Sequence, residues 1–312
     1  MAQPLRVAFY GAGQVATNVS ELLRRRPGVE VLGPYGRDER ESALRSGADV
    51  VVIATTSFLA EIADDVRDAV EAGSNVITTA EEAAYPWAND AAVADRLDEL
   101  ARERGVSILG AGLNPGFAFD ALVLTVCGVV PEVESLLVER VVDLSGFGEA
   151  VLRRSGVGHS PESFVEGRRA GTVTGHIGFP QSMNVVAGRL GVEIERIDRE
   201  LEPLYADVQL AASSLTVAPG QTAGFRQRYT AVSHGRVWFE ALFTGHIAPE
   251  ALGTAPRDAI TVRGPHEVHV EAIPGLNPQI GSASIVANSI RRVVAARPGW
   301  VTVGELPPAV PV

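Results

Sequence analysis

The sequence contains no lysine, so all 27 of its basic residues are arginine. An enzyme amine that forms a Schiff base, or a lysine that acts as a general acid, is therefore excluded. The single cysteine, Cys127, has no second cysteine with which to form an internal disulfide. The first residues also lack the charged and then apolar pattern of a signal peptide, and together these features predict a cytoplasmic protein.

Long apolar runs and extended basic blocks are lacking too. No apolar run approaches the length of a membrane span, and the net charge of −11 comes from acids spread along the chain. A short basic block at Arg24–Arg26 ends the first predicted helix, where cations complement the helix dipole. The composition therefore argues against a nucleic-acid or membrane partner. A length of 312 residues, 46% of them hydrophobic, leaves room for about two domains.

The most informative stretch that is present is RVAFYGAGQVA, at residues 6–16. Its apolar run predicts a buried strand, which turns through two glycines into a helix. Such a turn presents free backbone N–H groups and the positive end of a helix dipole, which suit a pyrophosphate. The pattern G-x-G-x-x-A therefore predicts a dinucleotide site at Gly11, Gly13, Gln14 and Val15. The alternative is a glycine-rich turn in another kind of α/β protein.

Strands and helices alternate as far as about residue 120, which is typical of a Rossmann-type doubly wound parallel sheet. In the second half, strand-like runs joined across residues 233–235 and 264–265 predict hairpins, and so an α+β domain with an open mixed, largely antiparallel sheet. We therefore predict an α/β protein with a dinucleotide-binding domain (1–120), a substrate-binding and dimerisation domain (121–282), and a C-terminal helix and tail (283–312) that return to the first domain. The short interval after Arg37 predicts a trimmed first sheet, with fewer than six strands.

The tip of the second predicted strand selects the cofactor. Enzymes that use NAD usually place an acid there, whereas a nearby arginine accommodates the 2′-phosphate of NADP. This tip reads Gly-Pro-Tyr-Gly-Arg, with no acid before Asp38. We therefore predict that NADPH is preferred over NADH, with Arg37 and Arg40 on the 2′-phosphate. The alternative is that both are solvated loop arginines.

Three loops follow predicted strands and arrive at the carboxyl edge of the sheet, where ligands bind in open α/β folds. Asn114 lies in a rigid turn before a helix, so its amide and the nearby backbone N–H groups can hold the nicotinamide carboxamide or a substrate atom. The predicted cofactor residues in these loops are Thr55, Thr56, Ser57, Thr79, Asn114, Pro115 and Gly116.

Two adjacent acids, Glu81 and Glu82, follow the fourth predicted strand in an otherwise apolar setting. A carboxylate that points into a dry pocket has a raised pKa and can act as an acid or base. It also suits reduction of a C=N bond, since a carboxylate about 4 Å from an iminium stabilises it by roughly 4 kcal/mol at an effective dielectric near 20. We predict that one of the two is catalytic. The alternative is that both are ordinary acids in the first turn of a helix.

Five segments together carry a family resemblance: GAGQVA, NVITTAEEAAYPW, SILGAGLNPGFAFDAL, GHIGFPQS and ANSIRRVVAARPGWVTVGELP. The chain resembles the 2,4-diaminopentanoate dehydrogenases and the related native NAD(P)-dependent amine dehydrogenases, within the dihydrodipicolinate-reductase-like superfamily. The resemblance implies reversible oxidative deamination of an amine, with a glutamate of the TTAEE segment handling ammonia. It carries this role to Glu81 or Glu82 without choosing between them. The absence of lysine argues against dihydrodipicolinate reductase itself.

Two departures from the family pattern matter. The family usually shows an acid at the second strand tip, where this chain has Gly36–Arg37, which points to NADP. It also tends to show a glycine-aspartate pair before the last helix, where this chain reads NPQIGS at residues 277–282. Because of this second departure, the resemblance does not identify the substrate.

The remaining site candidates lie on the substrate side. Tyr85, Phe117 and His176 are predicted pocket residues, although a single histidine is more often structural. His266 and His269 fall on opposite faces of a strand with no third ligand nearby, so no metal is predicted.

The sequence thus predicts an NADPH-dependent amine dehydrogenase that reductively aminates a small ketone or aldehyde with ammonia, as a homodimer. The alternatives are an imine reductase acting on a preformed imine and a non-catalytic NADP-binding sensor.

Overall fold

The computed structural model describes residues 3–311. Its strands are β1 (Leu5–Tyr10), β2 (Val29–Tyr35), β3 (Val50–Ile53), β4 (Asn75–Thr78), β5 (Ser107–Gly110), β6 (Ser135–Asp143), β7 (Arg196–Tyr205), β8 (Leu210–Ala211), β9 (Thr216–Val217), β10 (Thr222–Ser233), β11 (Arg236–His246), β12 (Arg257–Arg263), β13 (Val268–Ala272) and β14 (Gly299–Val301). Its α-helices are α1 (Gln14–Arg24), α2 (Arg40–Leu44), α3 (Leu59–Glu71), α4 (Ala91–Arg104), α5 (Ala121–Cys127), α6 (Glu149–Arg154), α7 (Pro161–Ala170), α8 (Phe179–Leu190) and α9 (Pro278–Val294). Short 3-10 helices cover Arg37–Glu39, Glu81–Ala84, Pro86–Ala88 and Pro249–Leu252.

The first compact unit contains the described residues up to Leu124, Pro180–Val192 and the described chain from Asn277 onwards. Its sheet has six parallel strands in the order β14-β5-β4-β3-β1-β2. This confirms the Rossmann-type doubly wound sheet. The prediction of fewer than six strands is wrong, because β14, from the C-terminal tail, pairs with β5 and supplies the sixth strand.

Helices cover both faces of this parallel sheet, so its central strands read as continuous apolar runs. On one face, α1 and α9 bury Val19 and Ile290 against the strands. On the other face, α3 and α4 bury Ile62 and Leu97. Val185 of α8 belongs to the same core as α1 and α9. Residues 180–192, which the sequence assigns to the second domain, are therefore grouped with the first unit.

The second unit contains Thr125–Phe179 and Glu193–Leu276. Its sheet has the order β13-β12-β6-β11-β10-β7, in which β6 and β11 are parallel and the other neighbours antiparallel. This confirms the predicted mixed, largely antiparallel sheet. The β10–β11 hairpin turns through His234 and Gly235, whose φ values of 49° and 70° are those of a type I′ turn.

Within residues 3–311, none of the helices has the length and apolar character that a membrane crossing requires.

Candidate active site

The glycine turn after β1 is shaped by a close approach of two strands. Gly11 has φ +111°, and a Cβ there would collide with the carbonyl oxygen of Ala54, the residue after β3. The same Cβ would lie 3.4 Å from Cγ2 of Thr55. The Gly11 N–H donates to the carbonyl of Tyr35 at 3.0 Å. Gly11 is therefore required by the fold itself.

Gly13 is different, because no contact within the protein requires a glycine at this position. It is the N-cap of α1 with an ordinary φ of −77°, and no side chain caps the helix. A Cβ at Gly13 would meet no protein atom within 4 Å. Gln14 and Val15 form the first turn of α1, and the Gln14 amide donates to Asn18 at 2.7 Å. An uncapped helix N-terminus below open space fits a dinucleotide pyrophosphate.

The two arginines predicted to bind the 2′-phosphate have different surroundings. Arg37 is exposed at the start of the 3-10 turn after β2. Arg40 instead forms ion pairs with Asp65 at 2.5 Å and Asp68 at 2.7 Å, both on α3. This pairing ties α2 to α3 and favours Arg37 over Arg40 as the phosphate ligand.

The loops after β3 and β4 are joined at the carboxyl edge of the sheet. Thr55 and Thr56 follow β3, and the N–H of Thr79 donates to the carbonyl of Ile53 at 3.0 Å. The carbonyl of Ser57 accepts the N–H of Glu82 at 3.2 Å. The structure therefore brings the predicted threonine loop and the glutamate turn together.

The 3-10 turn Glu81–Ala84 gives its two acids different positions. The Glu82 carboxylate accepts the backbone N–H of Leu59 at 2.8 Å and so caps the N-terminus of α3. The turn itself is held by Trp300, whose indole N–H donates to the carbonyl of Ala83 at 3.0 Å. Glu81 is half-buried at the first position of the turn. Both acids therefore lie on a turn that is fixed at the start of α3 and at Trp300.

Asn114 presents an amide that the protein leaves unsatisfied. Its side-chain nitrogen and oxygen are both buried and have no hydrogen-bond partner within residues 3–311. The Asn114–Pro115 peptide bond is cis, and Gly116 has φ +124° with its α-carbon packed on the backbone of Gly112. Buried polar atoms are rarely left without partners, so this amide fits a ligand such as the nicotinamide carboxamide.

One residue that the sequence reasoning missed holds this loop in place. The fully buried carboxylate of Asp120 accepts the N–H of Gly116 at 2.7 Å, the N–H of Ala121 at 2.7 Å and the hydroxyl of Ser182 at 2.9 Å. Burial raises the pKa of Asp120, and the three hydrogen bonds oppose that shift. An acid directly before the apolar run of α5 is a helix N-cap signal, and this pattern would have identified it.

Tyr85, a predicted pocket residue, lines an open pocket of about 400 Å³ in the first unit. Its ring packs edge-on against Trp87, with centroids 5.4 Å apart. The lining residues are Tyr85, Trp87, Asn184, Val185, Gly188, Arg189, Thr302 and Glu305. Phe117 is instead partly buried against the core beneath α1 and α9.

His176 lies in the second unit, among aromatic rings. Its ring is 4.9 Å from Phe243 and 5.2 Å from Phe179. Burial and the charge of Arg140 lower the pKa of His176 to about 4, so it is neutral at pH 7. Its Nδ1 donates to the carbonyl of Ile177, which leaves Nε2 as the unprotonated nitrogen. Among the described residues, no group of three or more His, Cys, Asp or Glu side chains could hold a metal ion.

Comparisons with known proteins identify the family of this chain. Residues 117–311 match the model of the 2,4-diaminopentanoate dehydrogenase C-terminal domain. The chain is 31% identical to a 2,4-diaminopentanoate dehydrogenase of Acetoanaerobium sticklandii, over 98% of this chain and 94% of that protein. The chain therefore belongs to the 2,4-diaminopentanoate dehydrogenase family, which confirms the resemblance seen in the sequence.

Solved structures show the same fold. The amine dehydrogenase of Mycobacterium smegmatis superposes with a TM-score of 0.86 at 22% identity, over 99% of this chain and 97% of that one. A C. glutamicum DAP dehydrogenase in complex with DAP superposes with a TM-score of 0.51 at 15% identity, over 98% and 95%. Family and fold together make this chain an oxidoreductase of the class that acts on CH–NH2 donors.

Proposed function

We propose that this protein is an NADP(H)-dependent amine dehydrogenase that carries out reversible reductive amination of a small ketone or aldehyde with ammonia. The observation that carries the proposal is the pair of acids, Glu81 and Glu82, in the turn after β4. The kinship with a 2,4-diaminopentanoate dehydrogenase supports an amine as the substrate in the oxidative direction.

A nicotinamide cofactor fits the first unit. The uncapped N-terminus of α1 at Gly13 would hold the pyrophosphate, and the unsatisfied amide of Asn114 would hold the carboxamide. The exposed guanidinium of Arg37 would bind a 2′-phosphate, which supports a preference for NADPH over NADH. An engineered D-amino acid dehydrogenase bound to NADP+ shares the fold, with a TM-score of 0.51 at 16% identity. When bound, the reduced cofactor supplies the hydride.

The chemistry that we assign to one of the two acids, Glu81 or Glu82, has three parts. Its carboxylate takes a proton from ammonium, so that neutral ammonia can attack the carbonyl carbon. The protonated carboxyl then assists loss of water from the carbinolamine. The resulting carboxylate balances the positive iminium while the hydride arrives, a contribution of about 4 kcal/mol at about 4 Å and an effective dielectric near 20. A carboxylate would oppose reduction of a ketone, which develops an alkoxide.

The test is a screen of ketones and aldehydes with NADPH, run with and without ammonia and followed by loss of absorbance at 340 nm. We expect turnover only when ammonia is present. Turnover of a preformed imine without ammonia would instead identify an imine reductase. Tight binding of NADPH without turnover of any carbonyl would identify a sensor.

Matched variants then separate the two acids. Glu81→Gln and Glu82→Gln are made separately, and amination should be abolished in the variant that lacks the catalytic acid. In Glu82→Gln the amide oxygen can still accept the N–H of Leu59, so a loss of amination there would come from the lost carboxylate and not from a lost helix cap. Activity retained in both variants would rule out the role of these acids.

We also propose that the protein is a homodimer through the sheet of the second unit. Along β6, the even-numbered side chains are buried, while Leu137 and Val141 on the other face are only half-buried. Leu242 of β11 is half-buried on that same face. Sedimentation equilibrium should give twice the chain mass, and Leu137→Arg should convert the protein to a monomer.

A further inference from the structure

Asp120 is an unusual buried charge. It is 0% exposed and its carboxylate accepts three hydrogen bonds, from Gly116, Ala121 and Ser182. The ion pairs found in residues 3–311 give it no arginine partner. An isolated buried carboxylate is costly unless its oxygens are well satisfied. This arrangement therefore depends on the three donors being held in place.

The three donors belong to three different segments. Gly116 closes the loop that carries Asn114, Ala121 begins α5, and Ser182 lies in the first turn of α8. The loop also bends back on itself, because the N–H of Ala118 donates to the carbonyl of Leu113 at 2.8 Å. Asn114 lies two residues before Gly116 inside this closed loop. The bond between Gly116 and Asp120 therefore holds the backbone of the loop that carries Asn114.

The Asn114 amide matches one end of the cofactor. An asparagine side chain offers a donor and an acceptor, and a carboxamide offers the complementary acceptor and donor. The amide is buried without a partner, so it is already desolvated before a ligand arrives. The match depends on its orientation, because a reversed amide would place donor against donor.

We propose that Asp120 is a positioning residue, which acts with Ser182 to fix the Asn114 amide for the nicotinamide carboxamide. The inference rests on the proposed function, since it requires a nicotinamide cofactor in this cradle. Asp120 itself contacts neither cofactor nor substrate in this role.

The test compares two ligands, NADPH and 2′-phospho-ADP-ribose, which lacks the nicotinamide. Asp120→Asn should weaken NADPH binding about tenfold. The NH2 group of the asparagine faces at least one of the three donors and cannot accept its hydrogen bond. Binding of 2′-phospho-ADP-ribose should change by less than about twofold, since the cradle at Gly13 is untouched. Ser182→Ala removes one donor and should give a smaller loss in the same direction.

A double-mutant cycle on NADPH affinity distinguishes a positioning role of Asp120 from a merely structural one. In an Asn114→Ala background, Asp120→Asn should cause no further loss of NADPH affinity. Asp98→Asn is the matched control, because Asp98 is also buried and accepts a backbone N–H, that of Trp300, at 2.7 Å. It should lower stability and leave the binding of both ligands unchanged.

The outcomes are distinguishable. Equal losses for both ligands, or additivity with Asn114→Ala, would overturn the positioning role while the proposed function stands. If Asp120→Asn does not fold, Ser182→Ala decides by the same two measurements. A wild-type protein that binds neither ligand would overturn the proposed function, and the inference with it.

Discussion

Replacing the two glycines of the β1–α1 turn by alanine should separate a requirement of the fold from a requirement of the ligand. At Gly11 the added Cβ collides with the carbonyl of Ala54, and φ is +111°. At Gly13 the added Cβ meets no protein atom within 4 Å, and φ is −77°. Gly11→Ala should therefore damage the fold, and Gly13→Ala should damage only cofactor binding.

The expected magnitudes follow from these geometries. An L-residue forced into the Gly11 conformation, with a backbone clash, should lose about 3 kcal/mol or more of stability. Gly13→Ala should change stability by less than about 1 kcal/mol, since its φ suits alanine and no side chain caps the helix. The added methyl group at position 13 should prevent the pyrophosphate from forming one charge-assisted hydrogen bond. NADPH affinity should then fall by a factor of about 10 to 100.

Two measurements decide the question: urea unfolding followed by circular dichroism, and titration with NADPH followed by nicotinamide fluorescence. Adenosine 2′-monophosphate, which lacks the pyrophosphate, serves as the control ligand and should bind Gly13→Ala as it binds the wild type. The reasoning is refuted if Gly13→Ala binds NADPH with wild-type affinity, or if it is as unstable as Gly11→Ala.

Three further perturbations have defined outcomes. Arg37→Ala should weaken NADPH binding about tenfold to hundredfold and leave NADH binding unchanged. Arg40→Gln breaks the ion pairs with α3, so it should lower stability and leave the ratio of NADPH affinity to NADH affinity unchanged. The pKa of His176 is about 4 in the folded protein and 6.5 in the unfolded chain, so the unfolded chain gains a proton first as the pH falls. The free energy of unfolding should therefore drop by about 2 kcal/mol between pH 7 and pH 5. Urea titrations of His176→Asn at the two pH values should lack this drop. Burial raises the pKa of Cys127 to about 11, so its thiol should not react with a disulfide reagent at pH 8 until the protein unfolds.

The parts of the fold that sequence predicts well are those with local causes. The helix Ala91–Arg104 begins after Asp90, whose carboxylate accepts the N–H of Val93, and ends at Gly105 with φ 69°. These are signals carried by neighbouring residues. By contrast, β14 has three residues and pairs with β5, far away in the chain. A strand so short has no periodicity, so only its distant partner defines it.

The same limit applies to the site. The glycine turn and the two glutamates are visible as local patterns in the sequence, but the contact of Glu82 with α3 is not. Glu82 caps α3 because that helix starts 23 residues earlier in the chain and ends up beside the turn. Arg40 and Arg37 read alike in the sequence, and only the two aspartates of α3 distinguish them.

Two acids hold loops in place at the carboxyl edge of the parallel sheet. Backbone N–H groups occupy the carboxylates of Glu82 and Asp120, and these acids fix the turn after β4 and the Asn114 loop. Under the proposed function, the acid that exchanges protons has to lie on a backbone that stays in place while the substrate reacts. Both glutamates lie on such a backbone, because Trp300 anchors their turn through the carbonyl of Ala83 and Glu82 ties it to the start of α3.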